Sequence, residues 1–311
     1  MIIDLPDTTT NAVSKRLDQM RDEGGAVALG RVLTLVVVAF EADVEAAVEA
    51  ANEASHEHPC RVVVVAPLDQ RGTDGRVDAQ IRVGGDAGAS EVVVLRCTDP
   101  LLDHPDTLVM PLLLPDAPIV VWWPTGGPDN PSADPLGAMA QRRITDTTTC
   151  ADPVGMLDRL AESFTEGDTD LAWARVTLWR GLIAAALDQP PFEPVTSVRV
   201  EGQSQHTSLN LLAAWLGLKL RCPATVVRTD GNDAITRVVL ERKSGSIVLD
   251  RPDGRVVTIT EPGKPERHMA LPIRALPEAI IEELRRLDPD EIYGQVLERG
   301  LERISTVEVG A

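Results

Sequence analysis

His56, Glu57, His58 and Cys60 are of the types that ligate a transition metal, and they crowd into five positions. Their spacing works against that chemistry. They straddle the end of a helical pattern and the start of a strand pattern, so one helical face cannot present all of them. No second cluster supplies further ligands, and no metal is expected. His104, His206 and His268 could each act as base to a nucleophile. Yet no serine sits in a G-x-S-x-G elbow, and no cysteine stands in a recognisable reactive setting. Gln203-Ser204-Gln205-His206-Thr207 is polar, precedes a helical pattern and reads as a capping segment. The cysteines at 60, 97, 150 and 222 form no C-x-x-C and imply no disulfide framework. Cys60 enters one strand and Cys97 leaves another, which places them at opposite edges of a sheet and argues against a bond between them. Gly84-Gly85-Asp86-Ala87-Gly88 precedes a strand rather than opening a helix, so it reads as a turn and not as a dinucleotide fingerprint. No catalytic residue and no cofactor are expected.

Tryptophan and arginine concentrate in two places. The stretch Asp170–Leu187, DLAWARVTLWRGLIAAAL, has the composition and both ends of a helix. Asp170 suits the open amides and positive dipole end of a first turn, and Asp188-Gln189-Pro190-Pro191 stops the helix. At 100° per residue Leu171, Leu178 and Leu182 share a side, with Val176, Trp179 and Ile183 beside them. Trp173, Thr177 and Arg180 form a row on another face, and Arg175 lies one turn before Trp179. Two indoles therefore face two guanidinium groups, either as a brace between the two halves of the chain or as anchors for a partner protein. The second place is the loop after Trp122-Trp123, which runs Pro124-Thr125-Gly126-Gly127-Pro128-Asp129-Asn130-Pro131. It would lie beyond the carboxyl end of a parallel strand, where ligands of open α/β sheets bind. With no lysine in it, a phosphate cradle would need Arg142 or Arg143 to fold back. Trp122, Trp123, Thr125, Gly126, Gly127, Arg142 and Arg143 are the candidates there.

Near-continuous apolar runs at Val32–Ala39, Arg61–Pro67, Glu91–Cys97 and Pro118–Trp123 must position that loop. Such runs are the pattern of strands buried on both faces. An alanine-rich helix at Glu41–Ser55 makes the first pair a right-handed βαβ unit. A short helix at Ala12–Glu23, an alternating strand at Ala79–Val83 and a helix at Pro153–Phe164 complete this half. From Thr196 the pattern changes. A strand at Val198–Val200 and a helix at Ser208–Leu220 precede short strands at Thr225–Arg228, Thr236–Glu241, Ser246–Asp250, Val256–Glu261 and Arg267–Ala270. Their joints, Lys243-Ser244-Gly245 and Arg251-Pro252-Asp253-Gly254, are turn signals. Two amphipathic helices, Pro277–Leu287 and Pro289–Ile304, end the chain. The expected fold is α/β: a mostly parallel open sheet with flanking helices over 1–189, then an α+β domain with an antiparallel meander over 190–311.

The 311 residues carry a net charge of −18, and it is uneven. Residues 1–189 hold 14 Lys/Arg against 30 Asp/Glu, whereas 190–311 hold 16 against 18. No run supplies the basic patch that nucleic acid or an anionic membrane would need, and the field suits a partner with a basic surface. The N-terminus shows no basic region followed by an apolar core, and the longest apolar run is far short of the roughly 20 residues of a spanning helix. A soluble, cytoplasmic protein is expected.

Taken together, LTLVVVAF, RVVVVAP, PIVVWWP, RRITDTTT and DLAWARVTLWRGLIAAAL resemble the glucose-6-phosphate dehydrogenase assembly protein family, OpcA, in its actinobacterial style. The order of PIVVWWP, the Ile-Thr-Asp strand and the D-L-x-W-x-R helix carries the likeness, which runs over essentially the whole chain. The resemblance implies a non-enzymatic protein that binds the pentose phosphate pathway dehydrogenase and acts as its allosteric activator by promoting the active oligomer. It carries no catalytic residue over and implies no small-molecule ligand. The rival reading is a sensor or degenerate enzyme that takes a sugar phosphate or nucleotide at the Thr125–Pro131 loop. A third reading is a hydrolase with an unrecognised triad.

Overall fold

The computed structural model describes residues 1–23, 31–68, 75–84, 91–203, 205–230 and 234–308. Gly24-Gly25, all of the Gly84–Gly88 cluster but its first residue, and Ser204 of the capping segment lie outside that set. The chain begins β1 (Ile2–Thr8), α1 (Thr10–Glu23), β2 (Leu33–Val38), α2 (Val44–Glu57), β3 (Cys60–Pro67), β4 (Val77–Val83) and β5 (Glu91–Cys97). It continues through α3 (Asp99–Leu102), α4 (Pro105–Val109), β6 (Ile119–Trp122), β7 (Arg142–Thr145), α5 (Pro153–Ser163), β8 (Asp168–Asp170), α6 (Leu171–Arg175) and α7 (Thr177–Leu187). The remainder is β9 (Ser197–Gln203), α8 (Ser208–Leu220), β10 (Ala224–Thr229), β11 (Ile235–Glu241), β12 (Ile247–Asp250), β13 (Val256–Thr260) and β14 (Arg267–Ala270). Then come α9 (Leu276–Leu284), α10 (Glu291–Gln295) and β15 (Ile304–Glu308).

These elements group into two compact units. The first holds Met1–Asp146, Gly167–Thr169 and Leu276–Pro289; the second holds Thr147–Glu166, Asp170–Ala275 and Asp290–Ala311. The boundary expected after residue 189 does not coincide with this grouping. The α6–α7 segment buries its apolar side in the cluster that also contains α8, and the Leu276–Pro289 segment returns to the first unit.

The first unit is built on an eight-stranded sheet in the order β1-β4-β5-β3-β2-β6-β7-β8. Strands β5, β3, β2, β6 and β7 run parallel, as their apolar runs require, and β4 and β1 add an antiparallel edge. Because side chains alternate across a sheet, Val36, Val63, Val93 and Val121 meet Val13 and Leu17 of α1 on one face. Leu35, Val37, Val62 and Val64 are equally buried on the other, where α2 lies on β3 and α9 packs beside α2.

The second unit carries a seven-stranded sheet in the order β14-β13-β12-β11-β9-β10-β15. The antiparallel meander is present from β11 to β14. The strand at Thr225–Arg228 was expected in that meander, but β10 runs parallel to β9. The cause is α8, which carries the chain back across one face and makes β9-α8-β10 a crossover unit. The C-terminal helix expected over Pro289–Ile304 is present: α10 runs on through a π turn, Val296–Gly300, and a 3-10 turn that ends at Arg303. Ile304–Glu308, with Ile304, Thr306 and Val307 β-branched, then pairs parallel to β10. Among the described residues no helix is long and apolar enough to cross a membrane.

Candidate functional site

The Trp/Arg stretch is two helices rather than one. Asp170 caps α6 as expected, with Oδ1 accepting from the Ala172 amide at 2.8 Å. At Val176 the backbone leaves the helical region (φ −93, ψ 0), and its amide closes onto Trp173 O in a tighter turn. The apolar side expected of one continuous helix is buried at Leu171, Val176, Trp179 and Ile183, with Leu182 packed against the core. Trp179, Ile183 and Ala186 point inward, while Leu178, expected on the apolar side with Leu171, is 43% exposed.

The row Trp173, Thr177, Arg180 survives the break. Trp173 is only 1% exposed, and its Nε1 donates to Asp290 Oδ2 at 2.7 Å. The Arg180 guanidinium lies 3.7 Å over the indole and donates to Thr177 Oγ1 at 2.9 Å. Behind the indole, Tyr293 sits at 5.8 Å between centroids and meets Phe164 edge-on at 6.1 Å. Asp290 also accepts from the Ile292 and Tyr293 amides, so one carboxylate both caps α10 and fixes the indole. Arg175 donates to Thr148 Oγ1 at 3.2 Å. The cation over Trp179 is Arg251, at 4.9 Å, which also donates to Leu271 O and Ile235 O. Burial pushes this guanidinium down to about 10. Arg251 was legible only as the first residue of a turn, because no spacing rule relates it to a helix more than seventy positions earlier.

The Thr125–Pro131 loop follows β6 at the carboxyl edge of the first sheet. Trp122 and Trp123 are both buried and point to opposite faces, so neither lines the loop's outer surface. Thr125 Oγ1 donates to Asp43 Oδ2 at 2.8 Å. Gly126 has φ +60 and lies against the Phe40 ring, 3.0 Å from where a Cβ would stand. Gly127 sits over Thr145 and Trp123. Arg142 and Arg143 are buried. Arg142 donates to Glu283 at 2.5 Å and to Asp288 O at 2.9 Å, whereas Arg143 pairs with Asp168 and donates to Ala140 O at 2.8 Å. Both charges are therefore neutralised in place within the first unit.

Elsewhere, His56 and Glu57 end α2, His58 is its C-terminal cap and Cys60 opens β3. Among the described residues no group of three or more His, Cys, Asp or Glu is arranged to hold a metal. Cys60 and Cys97 lie at opposite ends of the paired strands β3 and β5, about 20 Å apart at the rise of a strand. Burial pushes the Cys97 thiol up to about 12, and it also raises that of Cys222. His268 shares a hydrogen bond with Thr258 on the open side of β14, and His104 precedes α4.

Residues 51–162 match the family model for the glucose-6-phosphate dehydrogenase subunit N-terminal domain, and residues 166–297 match that for its C-terminal domain. The chain belongs to the OpcA family. The OxPP cycle protein OpcA of Nostoc punctiforme is 26% identical over 196 residues, covering 58% of this chain and 42% of that protein. Its namesake in Synechococcus elongatus is 30% identical over 143 residues, covering 43% and 32%. The matched segments thus span less than half of these OpcA relatives. Both are cyanobacterial, and neither speaks to an actinobacterial type. Among solved structures, UDP-N-acetylglucosamine 3-dehydrogenase GnnA from Acidithiobacillus ferrooxidans aligns over 87% of this chain and 97% of its own, at 12% identity and a TM-score of 0.37. That likeness is too slight to carry an argument. The OpcA models meet between residues 162 and 166, ahead of the Trp/Arg helices, so α6 and α7 go with the C-terminal domain.

Proposed function

We propose that this chain is a non-enzymatic assembly factor and allosteric activator of glucose-6-phosphate dehydrogenase, acting in the cytoplasm by direct binding that favours the active oligomer. Membership of the OpcA family carries the reading, since both matching models are described as domains of a dehydrogenase subunit. An activator must bind its partner's active conformation more tightly than the inactive one, and a coupling of ~1–3 kcal/mol amounts to a roughly 5–150-fold preference. The contact is proposed at the face of α7 that carries Thr177 and Arg180, whose guanidinium lies over the Trp173 indole. Trp173 lies beneath that guanidinium, and Arg175 and Trp179 complete the proposed set. The acidic balance of residues 1–189 supports a partner surface of opposite sign.

The alternative, a sugar-phosphate or nucleotide sensor at the Thr125–Pro131 loop, is weakened by the ion pairs of Arg142 and Arg143, the cations it would require. The test is size-exclusion of the chain with and without the cognate dehydrogenase, followed by an activity assay. Co-elution and a rise in dehydrogenase activity are expected. Separate elution with unchanged activity would remove the proposal.

A further inference from the structure

One cleft of the second unit has a charge opposite to the rest of the protein. Where α8 ends, an open cleft of about 810 Å³ is lined by Lys219, Arg221, Cys222, Pro223, Gln295 and Arg303, with apolar residues of α8 between them. Among the described residues no carboxylate lines it, although the chain has 48 Asp and Glu against 30 Lys and Arg. Lys219 Nζ is held by Gln295 Oε1 at 3.1 Å. Arg221 and Arg303 form no ion pair among the described residues.

Cations at a helix C-terminus complement the negative end of the dipole, and this accounts for Lys219. It does not account for Arg303, which arrives from the 3-10 turn Leu301–Arg303 more than eighty residues later. Nor does it account for the backbone of Arg221, at φ 54 and ψ 43 in the left-handed region. That position after a helix is the usual place of glycine, because any Cβ is strained there. An arginine held in a strained conformation that lines one cleft with two other cations is a feature whose cost a ligand would offset.

We propose that this cleft binds a small phosphate-bearing metabolite. Three cations without a protein carboxylate suit a dianion, and the planar forks of the two arginines match phosphate oxygens in pairs while the lysine adds a point charge. The volume is that of a metabolite site rather than of a single ion. Cys222, kept a neutral thiol by burial, adds no opposing charge. The site is remote in sequence from the Thr125–Pro131 loop, and the proposal is independent of the dehydrogenase reading.

Isothermal titration at low ionic strength with inorganic phosphate, a hexose monophosphate and the uncharged hexose tests it. Saturable 1:1 binding of the hexose monophosphate is expected, weaker binding of phosphate and none of the hexose. Arg303→Ala and Arg221→Gly should each weaken binding at least tenfold. Glycine relieves the left-handed strain, so Arg221→Gly should keep or raise the melting temperature, which separates lost binding from lost fold. The absence of saturable binding at millimolar concentration, equal binding of the uncharged hexose, or unchanged affinity in both variants would overturn the proposal.

Discussion

Trp173 and Arg180 touch each other but answer to different forces. Truncating a fully buried indole leaves a cavity and strips Asp290 of a donor, so Trp173→Ala should destabilise the fold by about 3–5 kcal/mol in denaturant titration. Arg180 is half-buried over that indole, where a cation–π contact is worth ~1 kcal/mol, so Arg180→Ala should cost clearly less stability than Trp173→Ala. If the Thr177 and Arg180 face of α7 meets the dehydrogenase, the same Arg180→Ala weakens activation. Unchanged affinity in both variants would confine the row to bracing the fold. Cys97 gives a second prediction at this scale. Its thiol is raised to about 12 in the folded chain against an ordinary value near 9, so the proton is held more tightly folded than unfolded. That stabilisation is complete below pH 9 and is lost as pH rises towards 12, at up to about 1.4 kcal/mol per pH unit. The alkaline fall in stability should be shallower in Cys97→Ala than in the native chain.

Strand β7 illustrates how an element is anchored by charge in a dry interior. Arg142 meets Glu283 of α9 with both side chains about 5% exposed. Removing one partner of such a pair strands the other, which typically costs about 3–5 kcal/mol, whereas replacing both with apolar residues of similar volume is often near neutral. Arg142→Ala should therefore unfold at clearly lower denaturant than the double variant Arg142→Met/Glu283→Leu. Equal losses in the two would show that the pair is not what holds α9 to β7. The break at Val176 acts on the same scale. It splits one apolar stretch into α6 and α7, and α7 buries Trp179 while Leu178 stays 43% exposed.

For the whole molecule, the uneven charge predicts how a complex would respond to salt. If the acidic field of residues 1–189 steers a basic partner, association should slow as ionic strength rises from about 0.01 to 0.15 M, over which the Debye length falls from about 30 to 8 Å. Stopped-flow association with the dehydrogenase reads this directly, and a salt-independent rate would leave the acidic surface without a role in binding.

The parallel strands, the helix Ser208–Leu220, the meander and the family likeness were all legible in the sequence, because each rests on local periodicity or turn chemistry that neighbouring residues decide among themselves. Asp170 as a cap belongs here too. Only the tertiary structure decided the partners. That β10 and β15 run parallel to β9, that Arg251 covers Trp179, and that Arg142 and Arg143 are consumed by Glu283 and Asp168 depend on residues from 25 to 141 positions apart. The cleft at Arg221 belongs to the same class. A lysine, two arginines and a glutamine scattered over eighty-five positions carry no periodic signal, and only the return of the C-terminal segment onto the end of α8 makes them one surface.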